Sequence, residues 1–398
     1  MTAYALRVRG GAAIVAAVML GALVLPSTAL ATPSTSGTGQ PAVCPGHEAP
    51  PGPPAREETV VVSPVPVPAE PVGGAGLGAC GDVLPAAAPA PPPVTAAGWV
   101  VADLDSGAVL AARDPHGRQR PASTLKILTT LLVRERLDPA AEVVVAPEDV
   151  AVDGSRAGIG PGGHYTVRQL LAGLLLRSGN DTAMALARTM GGTEATLAAM
   201  QARAEAAGAL DTRPATPSGL DGSGMSSSAY DLALLFRIAL RDPLVRETLA
   251  TRLVDFPGFA DKPGFLLSND DPLLQSYPGA LGGKTGFTDA ARHTFVGAAE
   301  RGGRRLVVAL VRGEQRPTRM VAQASALLDY GFALPAGSSV GTLVDARPAT
   351  PQPPVPAAAP APAPDEPRTS PAPWIAGAVA LLIVAALATA AILRRRRR

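Results

Sequence analysis

Lysine is almost absent from this 398-residue chain: of 35 basic residues, only Lys126, Lys262 and Lys284 are not arginine. Histidine is scarce too. His47, His116, His164 and His293 stand far apart, with no H-x-x-x-H and no paired-Cys spacing, which excludes a metal centre built on a local ligand motif. The only cysteines, Cys44 and Cys80, allow one bridge in an oxidising compartment, and their pairing stays open at this point. A surplus of positive charge is also lacking. The formal net charge is +2, the last five residues are all Arg, and residues 96–344 hold 25 basic and 25 acidic side chains. A surface that tracks phosphates needs excess Lys and Arg, so a nucleic-acid binder is excluded. With no Gly-X-Y period, no sustained heptad and a long apolar-rich middle, collagen, coiled coil and a chain disordered throughout are excluded as well.

Proline, by contrast, is plentiful and clustered: 27 of 42 fall within residues 32–95 and 345–373. Such composition buries no core by itself, which leaves residues 96–344 as one expected folded unit. The ends suggest a location. Arg7 and Arg9 precede an apolar run from Gly11 to Leu25, then Pro26 and the small-x-small site Ala29-Leu30-Ala31, so residues 1–31 read as a removable signal peptide. Trp374 to Leu393 is long and apolar enough to span a bilayer, and Arg394 to Arg398 follow as a cytoplasmic tail under the positive-inside rule. The expectation is a single-pass protein of the cell membrane, its folded domain on the outer, cell-wall side. Residues 345–373 form a Pro/Ala-rich spacer that reaches about 90 Å as polyproline II. Residues 32–95 read as a Pro/Gly-rich extracytoplasmic segment with no packed core, in which Gly76-Leu77-Gly78-Ala79-Cys80-Gly81 is loop composition rather than a nucleotide fingerprint.

Inside the folded part, Trp99 to Asp103 and Ala108 to Ala111 flank Asp105-Ser106-Gly107 as a hairpin. Pro121 opens a helix that is apolar on nearly every face. Residues 148–274 are mostly helical in pattern, with a capping box at Thr166 to Gln169. Strands are expected over Gly282 to Phe287, Thr294 to Ala299 and Arg305 to Val311, and a last helix over Thr318 to Tyr330. Strand, helices, strands, helix describes an α/β sandwich rather than a doubly wound fold.

Where a generic cation sufficed this chain mostly used Arg, so a lysine within a motif points to a place that needs an amine. Lysine, unlike arginine, gives up its proton when desolvated. Lys126 lies three residues after Ser123, a helical spacing that sets hydroxyl beside amine, the arrangement of a serine nucleophile with its own base. Lys284-Thr285-Gly286 lies on an expected strand, where glycine admits a ligand to the backbone while hydroxyl and ammonium hold an anion. Ser178-Gly179-Asn180 uses one of only two Asn in the chain. Lys262, in a Gly/Pro-rich loop, reads as a solvated charge.

The three elements S-x-x-K, S-x-N and K-T-G resemble the signature of the penicilloyl serine transferases. With Pro121-Ala122-Ser123, Ser178-Gly179-Asn180-Asp181, Pro217-Ser218-Gly219-Leu220-Asp221 and Gly283 to Thr288, the chain is similar to low-molecular-mass penicillin-binding proteins that act as serine D-alanyl-D-alanine carboxypeptidases. The resemblance implies a β-lactamase/penicillin-binding-protein-like α/β sandwich, an antiparallel sheet flanked by helices with an all-helical lobe, here extended by a C-terminal transmembrane helix. It implies Ser123 as nucleophile, Lys126 as base, Ser178 as proton relay to the leaving D-alanine and Asn180 as orienting group. Lys284 and Thr285 would hold the substrate carboxylate beside Gly286, and the N–H groups of Ser123 and Phe287 would form the oxyanion hole. Peptidoglycan stem peptides ending in D-Ala-D-Ala are the implied partner, β-lactams the implied covalent inhibitors, and no cofactor or metal is implied. Two departures stand out: spacer and span replace the usual small β-domain and amphipathic helix, and Arg292 occupies the usual glycine position after K-T-G. The alternatives are a β-lactamase-type hydrolase, against which the missing deacylation-glutamate motif counts, and a catalytically silent membrane-tethered stem-peptide-binding module.

Overall fold

The Gly98–Asp103 strand is buried on both faces, and its turn is set by the Asp103 carboxylate, which accepts from the Ser106 N–H at 2.8 Å. The Ala108–Arg113 strand completes the expected hairpin. The computed structural model describes Cys44, residues 46–344 and residues 394–395. The expected signal peptide, spacer and membrane span lie outside the described residues, among which no helix is long and apolar enough to cross a membrane.

The later strands form where the alternation placed them, as Ala280–Thr288, Arg292–Arg301 and Arg304–Gly313. Gly302 and Gly303, both at positive φ, close the last two into a tight hairpin. Across the sheet the order is Asp82–Val83, Ala108–Arg113, Gly98–Asp103, Arg304–Gly313, Arg292–Arg301, Ala280–Thr288, with Gly341–Thr342 also on Ala108–Arg113 and every pair antiparallel. Side chains alternate between two cores. Trp99, Val101, Phe295, Leu306 and Val308 pack under the Met320–Ala333 helix, with Leu327 and Leu328. Val100, Ala102, Val296, Val307 and Ala309 face the Ala229–Ala239 helix and the helical lobe. The K-T-G strand is thus an edge strand beside that lobe.

The lobe contains helices Lys126–Arg136, Val167–Leu176, Asn180–Thr189, Thr193–Ala207 and Pro243–Ala250. The capping box is formed: Thr166 Oγ1 accepts from the Gln169 N–H, and Gln169 Oε1 from the Thr166 N–H. The helical reading missed two small antiparallel pairs, Glu142–Val144 with His164–Thr166 and Leu253–Phe256 with Phe265–Ser268. Runs of three or four residues are too short to declare a period of two among long helical patterns. Lys262 lies between the second pair, its Nζ 4.5 Å from the centre of the Phe259 ring.

Residues 46–95 correct the sequence reading more substantially. Cys44 and Cys80 are bonded, Leu77 is fully buried in the core, and Asp82–Val83 is a strand of the main sheet. Counting apolar side chains missed this because the segment docks through its backbone. Polyproline-like chain makes no internal hydrogen bonds, so its carbonyls are free to accept from buried arginines. His116 adds a further tie: Nδ1 bonds the Asp211 carboxylate at 2.7 Å and Nε2 the Val72 carbonyl at 3.0 Å. Both partners only accept, so both nitrogens carry hydrogen. Burial pulls the His116 pKa down, but the bond to Asp211 and its charge outweigh that and leave it raised.

Candidate active site

Ser123 stands in a 3₁₀ turn, Ala122–Leu125, that leads straight into the Lys126–Arg136 helix. In such a turn side chains three apart are in line, so the S-x-x-K spacing is realised more tightly than in an α-helix. Ala122 before it has φ +49°, a costly conformation for a residue with a Cβ. It is held from several sides. The Pro121 carbonyl accepts from Thr124 Oγ1 at 2.6 Å and from Thr294 Oγ1 at 2.7 Å. The Gly219 backbone lies so close that a Cβ there would stand 2.1 Å from the Ala122 carbonyl oxygen.

Lys126 is completely buried, and its Nζ has three oxygens around it: Ser123 Oγ at 2.9 Å, Asn180 Oδ1 at 2.7 Å and the Ser218 carbonyl at 2.5 Å. Desolvation, reinforced by the charge of Lys284, holds its pKa well below the usual lysine range. Asn180 is itself fixed, donating from Nδ2 to the Asp153 carbonyl at 2.6 Å. Ser178 is buried with φ +57°, at the end of the connection from the Val167–Leu176 helix.

The K-T-G strand forms the opposite wall. Lys284 is buried and donates to the Thr285 carbonyl at 2.8 Å. Desolvation lowers its pKa to about 8, against the opposing pull of Asp270 and Asp271. Gly286 explains the glycine of the motif, since a Cβ there would stand 2.9 Å from the Ser123 nitrogen and 2.3 Å from Thr294 Oγ1. Phe287 is half exposed, its ring 4.4 Å from that of His293. Arg292 has φ +57°, a backbone conformation that favours glycine, and its guanidinium pairs with Glu314 at 2.9 and 3.0 Å.

Ser123, Ser178, Asn180, Thr285, Gly286 and Phe287 line one cleft of about 330 Å³, with Lys126 and Lys284 buried beside it. The expected site residues are therefore together. Gly154, Ser155, Leu220, Asp270 and His293 also line the cleft and were not singled out as site residues. They come from separate stretches of chain that meet only in the fold, His293 from the Arg292–Arg301 strand beside the K-T-G strand and the other four from loops. Asp181 directly follows the Ser178-Gly179-Asn180 motif. Fully buried, its carboxylate accepts from the N–H groups of Ala157 and Gly158, both at 2.9 Å, and so braces the loop that supplies Ser155. Asp181→Asn replaces one of these acceptors with a donor. It is expected to cost about 1–3 kcal/mol, seen as a lower Tm, and to slow turnover through the displaced loop.

Among the described residues one group, His116, Asp211 and Asp231, brings metal-ligand atoms within 4.8 Å of one another. Both ring nitrogens of His116 are engaged and hydrogen-bearing, so the ring has no lone pair for an ion.

Residues 85–315 match the family described as D-alanyl-D-alanine carboxypeptidase. The chain belongs to that family. It is 49% identical over 267 residues to D-alanyl-D-alanine carboxypeptidase DacB2 of Mycobacterium tuberculosis, covering 66% of this chain and 91% of the relative. It is 32% identical over 239 residues to DacF of Bacillus subtilis, covering 58% of this chain and 61% of the relative. Among solved structures, a D-alanyl-D-alanine carboxypeptidase of Mycobacterium tuberculosis superposes with a TM-score of 0.63 at 48% identity, over 65% of this chain and 99% of the other. The Streptomyces K15 DD-transpeptidase does so with 0.59 at 28% identity, over 62% and 100%. The sandwich of antiparallel sheet and helices is therefore that of the penicillin-binding proteins, and the protein is a serine-type D-alanyl-D-alanine carboxypeptidase with a function in the cell wall.

Proposed function

We propose that the enzyme removes the terminal D-alanine of peptidoglycan stem pentapeptides through an acyl-enzyme on Ser123, and that β-lactams acylate the same oxygen. The observation that carries this reading is the set of three oxygens around Lys126 Nζ. A neutral amine has two N–H bonds and one lone pair. The Asn180 and Ser218 carbonyl oxygens accept the two hydrogens, which leaves the lone pair for the Ser123 hydroxyl.

Ser123 Oγ then attacks the carbonyl of the penultimate D-Ala as its proton moves to Lys126. The developing oxyanion is met by the N–H groups of Ser123 and Phe287, which the close approach at Gly286 sets near each other. Lys284 and Thr285 hold the terminal carboxylate. Collapse breaks the peptide bond, and Ser178 passes the proton to the leaving amine. Water, deprotonated through the same Lys126, cleaves the ester and restores the serine hydroxyl. We further propose that the signal peptide is removed and that the 374–393 span anchors the enzyme with its catalytic domain on the cell-wall side. The Cys44–Cys80 bridge supports an oxidising compartment.

The test is intact-mass analysis after incubation with benzylpenicillin, alongside D-alanine release from diacetyl-Lys-D-Ala-D-Ala. A lasting penicilloyl adduct together with free D-alanine is the expected result. Fast penicillin turnover with no adduct and no D-alanine would replace the reading with a β-lactamase, and neither signal from folded protein would leave a binding module.

A further inference from the structure

Three to five residues before the nucleophile, the chain carries Arg118-Gln119-Arg120, and both arginines are buried, at 0% and 5% exposure. Neither serves the catalytic cleft. Arg118 donates to the Val65 carbonyl, to the carbonyls of Glu48 at 2.9 Å and of Pro66 at 3.0 Å, and to the Asp211 carboxylate at 3.2 Å. Arg120 donates through Nε to the Glu58 carboxylate and reaches the Pro51 and Pro53 carbonyls at 3.4 and 3.5 Å. Every one of these partners except Asp211 belongs to the loop that the Cys44–Cys80 bridge closes. That loop precedes the residues matched to the family, 85–315.

The same loop also grips the segment on the other side of the nucleophile. The Val60 N–H donates to Ser223 Oγ at 3.0 Å, and Arg213 donates to the Ser63 carbonyl at 2.7 Å. Between Arg213 and Ser223 lie Ser218, whose carbonyl holds Lys126, and Gly219, which presses on Ala122. Ser123 and Lys126 are thus flanked by two stretches of chain, 118–120 and 213–223, and one disulfide-closed strap ties both. The strain at Ala122 needs such support, since a residue at positive φ persists only where its surroundings over-determine it.

We propose that this strap is a positioning element for catalysis, and that Glu58 and Arg120 are positioning residues that hold the Ser123 turn in register with Lys126. Arg120 fixes the entry to the turn, and Glu58 fixes Arg120 by a charged bond at a site where 4% of the arginine side chain is exposed. Without that bond the guanidinium keeps only long contacts to two proline carbonyls. The turn then samples arrangements in which the serine hydroxyl is off the lysine lone pair. Misplacement of a reacting atom by a fraction of an ångström lowers the rate of the chemical step while leaving ground-state binding nearly unchanged.

This inference rests on the carboxypeptidase reading, and the two are tested separately because wild-type D-alanine release establishes that reading by itself. The experiment compares the full chain with its Glu58→Ala, Glu58→Asp and Arg120→Lys variants and with wild type after reduction and reoxidation. It measures Tm, kcat and KM for D-alanine release, and the rate of acylation by a chromogenic β-lactam. Glu58→Ala and reduced wild type are expected to lose about tenfold in kcat and in acylation rate, with KM within about twofold. Glu58→Asp should recover part of the rate, and reoxidation should restore it. A lower Tm with kcat unchanged would make the strap a mere stabiliser and overturn the proposal. A raised KM with kcat unchanged would overturn it too, by making the strap a substrate-contacting wall. If Glu58→Ala fails to fold, the reversible reduction of folded wild type decides between the same outcomes.

Discussion

Ser123→Ala is expected to remove the penicilloyl adduct altogether and to lower D-alanine release by about 10⁴-fold or more, with Tm essentially unchanged. The size follows from the chemistry. Among the described residues no other hydroxyl bonds Lys126 Nζ, whose remaining partners are the Asn180 and Ser218 carbonyl oxygens, and neither is a nucleophile. The fold should not notice, because the turn is held by backbone and threonine contacts that alanine preserves, those of Pro121 with Thr124 and Thr294. Mass spectrometry for the adduct and coupled D-alanine detection for turnover check both halves. An adduct persisting in the variant would move the nucleophile elsewhere.

Lys126→Arg is expected to cost about 10³-fold or more in acylation, because a guanidinium keeps its proton and has no lone pair for the serine. The wild-type pH profile tests the same assignment without mutation. Desolvation and the nearby Lys284 charge both depress the Lys126 pKa, so the base is freed at a pH well below the ordinary lysine range, and kcat/KM rises through that value. Desolvation also lowers the Lys284 pKa, to about 8, but Asp270 and Asp271 oppose it. Lys126 is pushed well below the ordinary lysine range despite Asp181 and Asp270, and it is expected to lose its charge before Lys284 does. Once the pH passes about 8 the carboxylate-holding cation is lost and kcat/KM falls. The expected profile is a bell whose alkaline limb belongs to Lys284 and whose acid limb belongs to Lys126. A profile that rises steadily past pH 10 would contradict the assignment of Lys284.

Sequence legibility varied by element for physical reasons. The S-x-x-K pair was readable because both residues sit on one turn, where spacing alone sets distance. The K-T-G strand was readable from its alternation, and the central hairpin from Asp105-Ser106-Gly107. The two short strand pairs of the helical lobe were not, since three or four residues carry too little periodicity. Asp270 and His293 were not legible as cleft residues, because neither has a chemical neighbour in sequence that hints at a site.

What the amino-acid sequence determined alone was the chemistry: a serine with a lysine three residues on, an asparagine in a chain nearly without asparagine, and two of only three lysines inside those motifs. The class of reaction and the sandwich of sheet and helices follow from local patterns, and local patterns are what a sequence displays. What only the tertiary structure decided was the environment of those groups. Burial pushes the Lys126 pKa well below the ordinary lysine range, and the Ser218 carbonyl that accepts from its Nζ comes from 92 residues away. The Pro-rich segment, whose composition resembles a disordered tail, is tied down by carbonyl bonds to Arg118 and Arg120. Backbone carbonyls are the same in every residue, so no composition could have announced that contact.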